Sequence, residues 1–114
     1  KRIEQVVYNL INNAINYTGD DKKVYIELVN GKKKVTVKIR DTGKGIKKED
    51  IKYIWNKYYH NEKKHKRNAY GTGLGLSIVK TILHNYKYGV DSKINKGTTF
   101  YFEINKTNKS KSVL

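Results

Sequence analysis

The sequence predicts an α+β two-layer sandwich, with helices packed on one face of a sheet. Three observations lead there. Two stretches place apolar residues at helical spacing. Two further pairs of segments alternate apolar and polar residues around turn-forming residues, so each pair reads as an antiparallel hairpin. The order of these pieces is helix, hairpin, short helix, loop, helix, hairpin, and it contains no βαβ unit.

The first helix is expected over residues 2–18. Ile3, Val6, Val7, Leu10, Ile11, Ala14 and Ile15 form its broad apolar face. Thr18-Gly19-Asp20-Asp21 ends it, with Gly19 expected as a left-handed cap. Val24, Ile26 and Leu28 then alternate with Tyr25, Glu27 and Val29, as in a strand with one buried face. Asn30-Gly31 is the strongest short hairpin signal available. The returning strand turns Val35, Val37 and Ile39 inward and delivers the chain to Asp41.

Asp41-Thr42-Gly43-Lys44-Gly45-Ile46 reads as a glycine-rich turn, followed by a short helix near Lys48-Glu49-Asp50-Ile51 and an aromatic cluster at Trp55, Tyr58 and Tyr59. Residues 60–70 are polar, basic and without periodicity, and a mobile loop is expected there. The second helix is expected over residues 74–83, with Leu74, Ile78, Val79, Ile82 and Leu83 apolar. Two strands follow, over residues 88–92 and 98–104, around a turn at Asn95-Lys96-Gly97. Phe100, Phe102 and Ile104 point to one face. The lysine-rich residues 106–114 read as a polar tail.

Composition sets bounds on function. The chain's 114 residues suffice for one domain with a modest core. With no cysteine there are no disulfides and no thiolate metal sites. No apolar run is long enough to cross a membrane. The net charge of +15 invites a nucleic-acid reading, but the lysines are scattered over every segment and form no stripe. The expectation is therefore no nucleic-acid partner. A polyanionic nucleotide would be drawn by the same charge.

Three features carry chemistry. The glycines of Gly71-Thr72-Gly73-Leu74-Gly75-Leu76 run directly into the second helix. Glycine lets the backbone approach a ligand closely, and a helix N-terminus offers unpaired N–H groups and a positive dipole end, a combination suited to phosphate. Asn9, Asn13 and Asn16 fall on one stripe of the first helix roughly 60° wide, beside its apolar face. They read as a solvent-facing row or as the polar wall of a cleft, and an amide oxygen there is a hard, neutral ligand for Mg²⁺ already held by phosphates and water. Asp41 ends a strand where glycines begin. It reads as a plain turn aspartate or as the acceptor for an exocyclic amine such as adenine N6.

Taken together, these stretches resemble sensor histidine kinases. Asn9-Leu10-Ile11-Asn12-Asn13-Ala14-Ile15-Asn16-Tyr17-Thr18 looks like their N box and Asp41-Thr42-Gly43-Lys44-Gly45-Ile46 their G1 box. Trp55 to Tyr59 resembles the F box and Gly71 to Leu76 the G2 box, and Gly97-Thr98-Thr99-Phe100 matches the closing strand. The wider group is the Bergerat-fold ATPases, which includes type II topoisomerases, MutL-type repair proteins and a heat-shock chaperone. The implied fold is a two-layer sandwich with a mixed, mostly antiparallel sheet and helices on one face. The implied division is an ATP-binding domain over residues 1–105, lacking the strand that family members place before the first helix, and a tail over 106–114.

The resemblance also implies roles. Asn13 would coordinate Mg²⁺, with Asn9 alongside, and Asn16 and Tyr17 would lie near the ribose and phosphates of ATP. Asp41 would read the adenine amine, with Gly43, Gly45 and Ile46 lining the base pocket and Thr99 beneath the base. Tyr58 joins the nucleotide set, and Gly71, Thr72, Gly73, Leu74, Gly75 and Leu76 would meet the phosphates. Residues 60–70 would be the ATP lid, its Lys64, His65, Lys66 and Arg67 reaching phosphate oxygens. Asn13, Lys64 and Arg67 would be the groups that assist transfer. The implied activity is delivery of the γ-phosphoryl to a histidine on a separate dimerisation domain of the same kinase, and thence to a response regulator. The implied setting is a cytoplasmic domain of a membrane-anchored bacterial sensor, with no direct membrane insertion of this fragment. His60, His65 and His84 lack the context of a phosphoacceptor, so the fragment alone is expected not to autophosphorylate. The alternatives are a non-kinase ATPase of the same fold and an ATP-binding regulatory module. Two departures stand out. Asn16 replaces the usual lysine, and the stretch from Lys80 to Gly89 is about two residues short.

Overall fold

The computed structural model describes residues 2–56 and 75–106. Helix α1 spans Arg2–Tyr17. Strands β1 (Val24–Asn30) and β2 (Lys34–Asp41) form the first hairpin, and a 3₁₀ segment spans Lys48–Tyr53. Helix α2 covers Gly75–Ile82, and strands β3 (Tyr88–Lys93) and β4 (Gly97–Asn105) form the second hairpin. The four strands lie in the order β1-β2-β4-β3, and every neighbouring pair is antiparallel. Among the described residues no parallel pair is present, so the expected mixed character of the sheet is not seen in these four strands.

The core lies where the helices meet the two central strands. Val6, Leu10 and Ala14 of α1 repeat every fourth residue and bury one stripe against Val37 and Ile39 of β2, Phe100 and Phe102 of β4, and Val79 and Leu83 at α2. Trp55 closes one end, edge-on to Tyr88 (5.2 Å between centroids) and Phe100 (5.6 Å). Ile15 lies about 140° around α1 from Leu10 at the helical 100° per residue, and it is exposed rather than part of the buried face.

Strand β1 departs furthest from expectation. Ile26 and Leu28 share a face with Ile39 and Val37, their register partners, yet are 55% and 66% exposed. The alternation is right, but the helices lie over β2 and β4 and leave the outer strand uncovered. The hairpin turn also differs. Asn30 still pairs with Val35, and the Gly31 N–H donates to the Lys34 carbonyl at 2.9 Å, so the apex is Lys32-Lys33 and Gly31 has no positive φ. After α1, the left-handed residue is Lys22 (φ 55°), not Gly19. Glycine is needed at 19 for space, since a Cβ would come within 2.5 Å of the Thr42 carbonyl oxygen.

Candidate functional site

Strand β2 ends at Asp41, a residue only 3% exposed. The Gly43 N–H donates to Asp41 Oδ1 at 2.8 Å, and the Thr98 N–H, directly across in β4, also donates to the carboxylate. Burial raises the carboxyl above its usual range, and it outweighs the two N–H donors and Arg40, which act the other way. A buried acid held by two backbone donors has spare lone pairs and a strong incentive to find another donor.

Backbones crowd around it. A Cβ on Gly43 would overlap the Tyr17 carbonyl, which brings the end of α1 against the Asp41 loop. Gly97 has φ 97°, and a Cβ there would overlap the Asp41 carbonyl; Gly45 has φ 79° and abuts Lys93 in the same way. Tyr17 itself is half-exposed at the last turn of α1. Ile46 packs partly against the core, and its N–H is taken by Ser92 Oγ at 2.8 Å.

Thr99 is the threonine expected beneath a bound base. It pairs with Arg40 and faces the opposite side of the sheet from Asp41. Thr98 is the threonine on the Asp41 side, and it is buried. Ser92 Oγ donates to the Gly97 carbonyl at 3.0 Å and lies 2.8 Å from Thr98 Oγ1. With its one proton committed, Ser92 accepts from Thr98, so Thr98 Oγ1 is left as an acceptor. Sequence reasoning missed both Thr98 and Ser92. The signal for Thr98 was present, because it shares the parity of the inward-facing Phe100 and Phe102.

Along α1, Asn9 and Asn13 are half-buried and Asn16 is exposed. Asn9 Nδ2 is buried, and among the described residues nothing accepts from it. A buried orphan donor is costly, and an anionic oxygen would satisfy it. At the start of α2, a Cβ on Gly75 would meet nothing within 4 Å among the described residues. Leu76 turns its side chain partly into the core and has only its backbone to offer a ligand. Among the described residues no group of three His, Cys, Asp or Glu could hold a metal, so a divalent cation here would depend on amide oxygens and on the ligand's own phosphates. Tyr58, Lys64, His65, Lys66, Arg67, Gly71, Thr72, Gly73 and Leu74 lie outside the described residues.

The described residues thus bring Asp41, Gly43, Gly45 and Thr98 together next to the end of α1. The family model of histidine kinase-, DNA gyrase B- and HSP90-like ATPases matches residues 1–108. The histidine-protein kinase ArlS of Staphylococcus haemolyticus is 37% identical over 101 residues, 87% of this chain and 22% of ArlS. The sensor protein SrrB of Staphylococcus aureus is 35% identical over 107 residues, 92% of this chain and 18% of SrrB. The chain thus spans about a fifth of the length of these curated relatives. Among solved structures, the nucleotide-free catalytic domain of histidine kinase ThkA superposes with a TM-score of 0.70 at 32% identity, covering 96% of this chain and 70% of that one. This chain belongs to the histidine kinase-, DNA gyrase B- and HSP90-like ATPase family, as an ATP-binding domain of its sensor histidine kinase branch.

Proposed function

We propose that this chain binds ATP with Mg²⁺ and presents the γ-phosphoryl to a histidine on a separate phosphoacceptor domain, as one step of a phosphorelay to a response regulator. The observation that carries the reading is Asp41: a buried carboxylate fixed by the Gly43 and Thr98 amides, with acceptor capacity left over. An aspartate so placed accepts from the exocyclic amine of adenine, whereas guanine presents a carbonyl there and would meet it lone pair to lone pair. Gly43 and Gly45 let the loop after Asp41 pack its backbone against the Tyr17 and Lys93 carbonyls, which holds the carboxylate in place.

The phosphate end falls to α1 and the start of α2. Asn9 Nδ2 is suited to donate to a phosphate oxygen, and Asn13 has the amide oxygen expected of a Mg²⁺ ligand. Bound there, Mg²⁺ would neutralise charge on the phosphates as the γ-phosphoryl leaves. The Gly75 end of α2 offers backbone N–H groups to the same phosphates. Lys64 and Arg67 are proposed to complete the charge compensation, and Gly71, Thr72 and Gly73 the backbone cradle. Residues 1–105 are proposed as the ATP-binding unit.

The whole protein is proposed to be a bacterial sensor whose ATP-binding domain lies in the cytoplasm. No described helix is long and apolar enough to cross a membrane. The non-kinase ATPase reading asks α1 for a buried carboxylate to activate water, and Glu4, its only acid, is exposed in the first turn.

Incubation with γ-labelled ATP tests the reading. Acid-labile label is expected on a supplied dimeric histidine hairpin and none on this chain alone. Steady release of phosphate with no transfer to the hairpin would favour the ATPase instead.

A further inference from the structure

We propose that Asp21 and Thr42 are positioning residues for the base end of the site, clasping the loop that carries Asp41 to the loop that follows α1. The proposal rests on the reading of Asp41 as the group that recognises the base. Thr42 Oγ1 donates to Asp21 Oδ1 at 2.6 Å, and the Lys23 N–H donates to the same oxygen at 3.0 Å. The Gly19 N–H donates to Thr42 Oγ1 at 3.4 Å. Thr18 Oγ1 donates to the Lys23 carbonyl at 2.5 Å and lies 3.2 Å from Thr42 Oγ1. Each hydroxyl has one proton, and the two short bonds use both, so the direction of the network is set by the acceptor on Asp21. The Thr42 hydroxyl, and then the Lys23 amide, hold the Asp21 carboxyl below its usual range, so Asp21 is a charged acceptor at neutral pH.

Two backbone contacts make the clasp matter. Gly19 sits against the Thr42 carbonyl and Gly43 against the Tyr17 carbonyl, so the two loops touch on both sides of Thr42. Thr42 lies between Asp41 and Gly43, the residue whose N–H orients the Asp41 carboxylate. A small shift of the 18–23 loop is therefore passed to the carboxylate that would meet the base, and misplacements on the order of 1 Å are enough to weaken a positioned contact. Asp21 is fully exposed, so its bond to Thr42 is not a core contact that holds the fold. The groups assigned to the phosphates, Asn9, Asn13 and Gly75, sit on the helices and not in these loops.

The clasp therefore acts on base discrimination and not on phosphate binding. The test is calorimetric titration of non-hydrolysable ATP and GTP analogues into the parent chain, Asp21→Ala, Asp21→Asn and Thr42→Val, with thermal midpoints measured alongside. Asp21→Ala and Thr42→Val should each weaken the ATP analogue by about tenfold, the scale of one lost hydrogen bond, and leave the GTP analogue unchanged. Asp21→Asn keeps an acceptor oxygen and should restore most of the loss. Unchanged ATP affinity in Asp21→Ala would overturn the clasp, as would an equal loss for both analogues with a lowered midpoint. If the parent chain bound neither analogue, the nucleotide reading would fall and the clasp with it. Parent binding that depends on Asp41 but not on Asp21 would remove the clasp alone.

Discussion

The Gly43 backbone N–H donates to Asp41 Oδ1 at 2.8 Å, and it does so from a position where no side chain fits, because a Cβ on Gly43 would overlap the Tyr17 carbonyl. One contact thus ties the end of α1 to the orientation of the buried carboxylate. Gly43→Ala forces the two loops apart. It should cost roughly 1–3 kcal/mol, as overpacking does, and should remove nucleotide binding in the same variant. Denaturant melts and calorimetry on the one protein check both.

Gly75→Ala is the opposite case. Among the described residues a Cβ there meets nothing within 4 Å, so the ligand-free chain should keep its stability to within about 0.5 kcal/mol. If phosphates approach the backbone at this helix end, the same methyl should weaken the ATP analogue. A variant that keeps both its stability and full affinity would place the phosphates elsewhere.

Asp41 titrates above the usual 3.8 because burial disfavours its charge. The folded chain therefore holds this proton more tightly than the unfolded chain does. The group's contribution to stability is complete below the unfolded-state value and is lost as pH rises through the higher folded-state value. Asp41→Asn removes that slope. The stability difference, parent minus variant, should fall as pH rises from below the ordinary carboxyl value of 3.8 through the higher folded-state value, as measured by urea melts across a pH series. A flat difference would mean that the carboxylate is ionised at no cost.

Asn9→Leu separates ligand from fold. The Asn9 Nδ2 donor is buried without a partner among the described residues, so its removal should leave the ligand-free stability unchanged or raise it, by up to about 1–3 kcal/mol. Affinity for the ATP analogue should fall, because the same donor is assigned to a phosphate oxygen. Loss of stability in Asn9→Leu would mean that the amide already has a partner in the folded chain.

Most of the fold was legible because it follows local periods. The stripe of Val6, Leu10 and Ala14 and the alternation of Phe100 and Phe102 are consequences of 3.6 and 2.0 residues per repeat. What failed needed knowledge of neighbours. Ile26 and Leu28 face the expected side, but only the strand order reveals that β1 lies at the edge, beyond the helices' reach. Thr99 differs, because motif position favours it whereas local parity with Phe100 favours Thr98. The bond between Thr42 and Asp21 joins residues 21 positions apart, and no local pattern announces it.

The edge position of β1 is itself testable. Leu28→Thr should change stability by less than about 0.5 kcal/mol, since the side chain is already mostly in water. Phe102→Ala, at a fully buried site, should cost about 3–5 kcal/mol. Denaturant melts of the two variants check the contrast.

Asp41 is the residue on which the functional account depends most. Calorimetric titration of a non-hydrolysable ATP analogue, with and without Mg²⁺, into the parent chain and Asp41→Asn tests it most directly. The account predicts saturable binding by the parent, strengthened by Mg²⁺, and a loss of at least about tenfold in the variant, whose one amide oxygen is held by the Gly43 N–H so that its NH2 meets the base amine donor to donor. Equal affinity in the two proteins would contradict it.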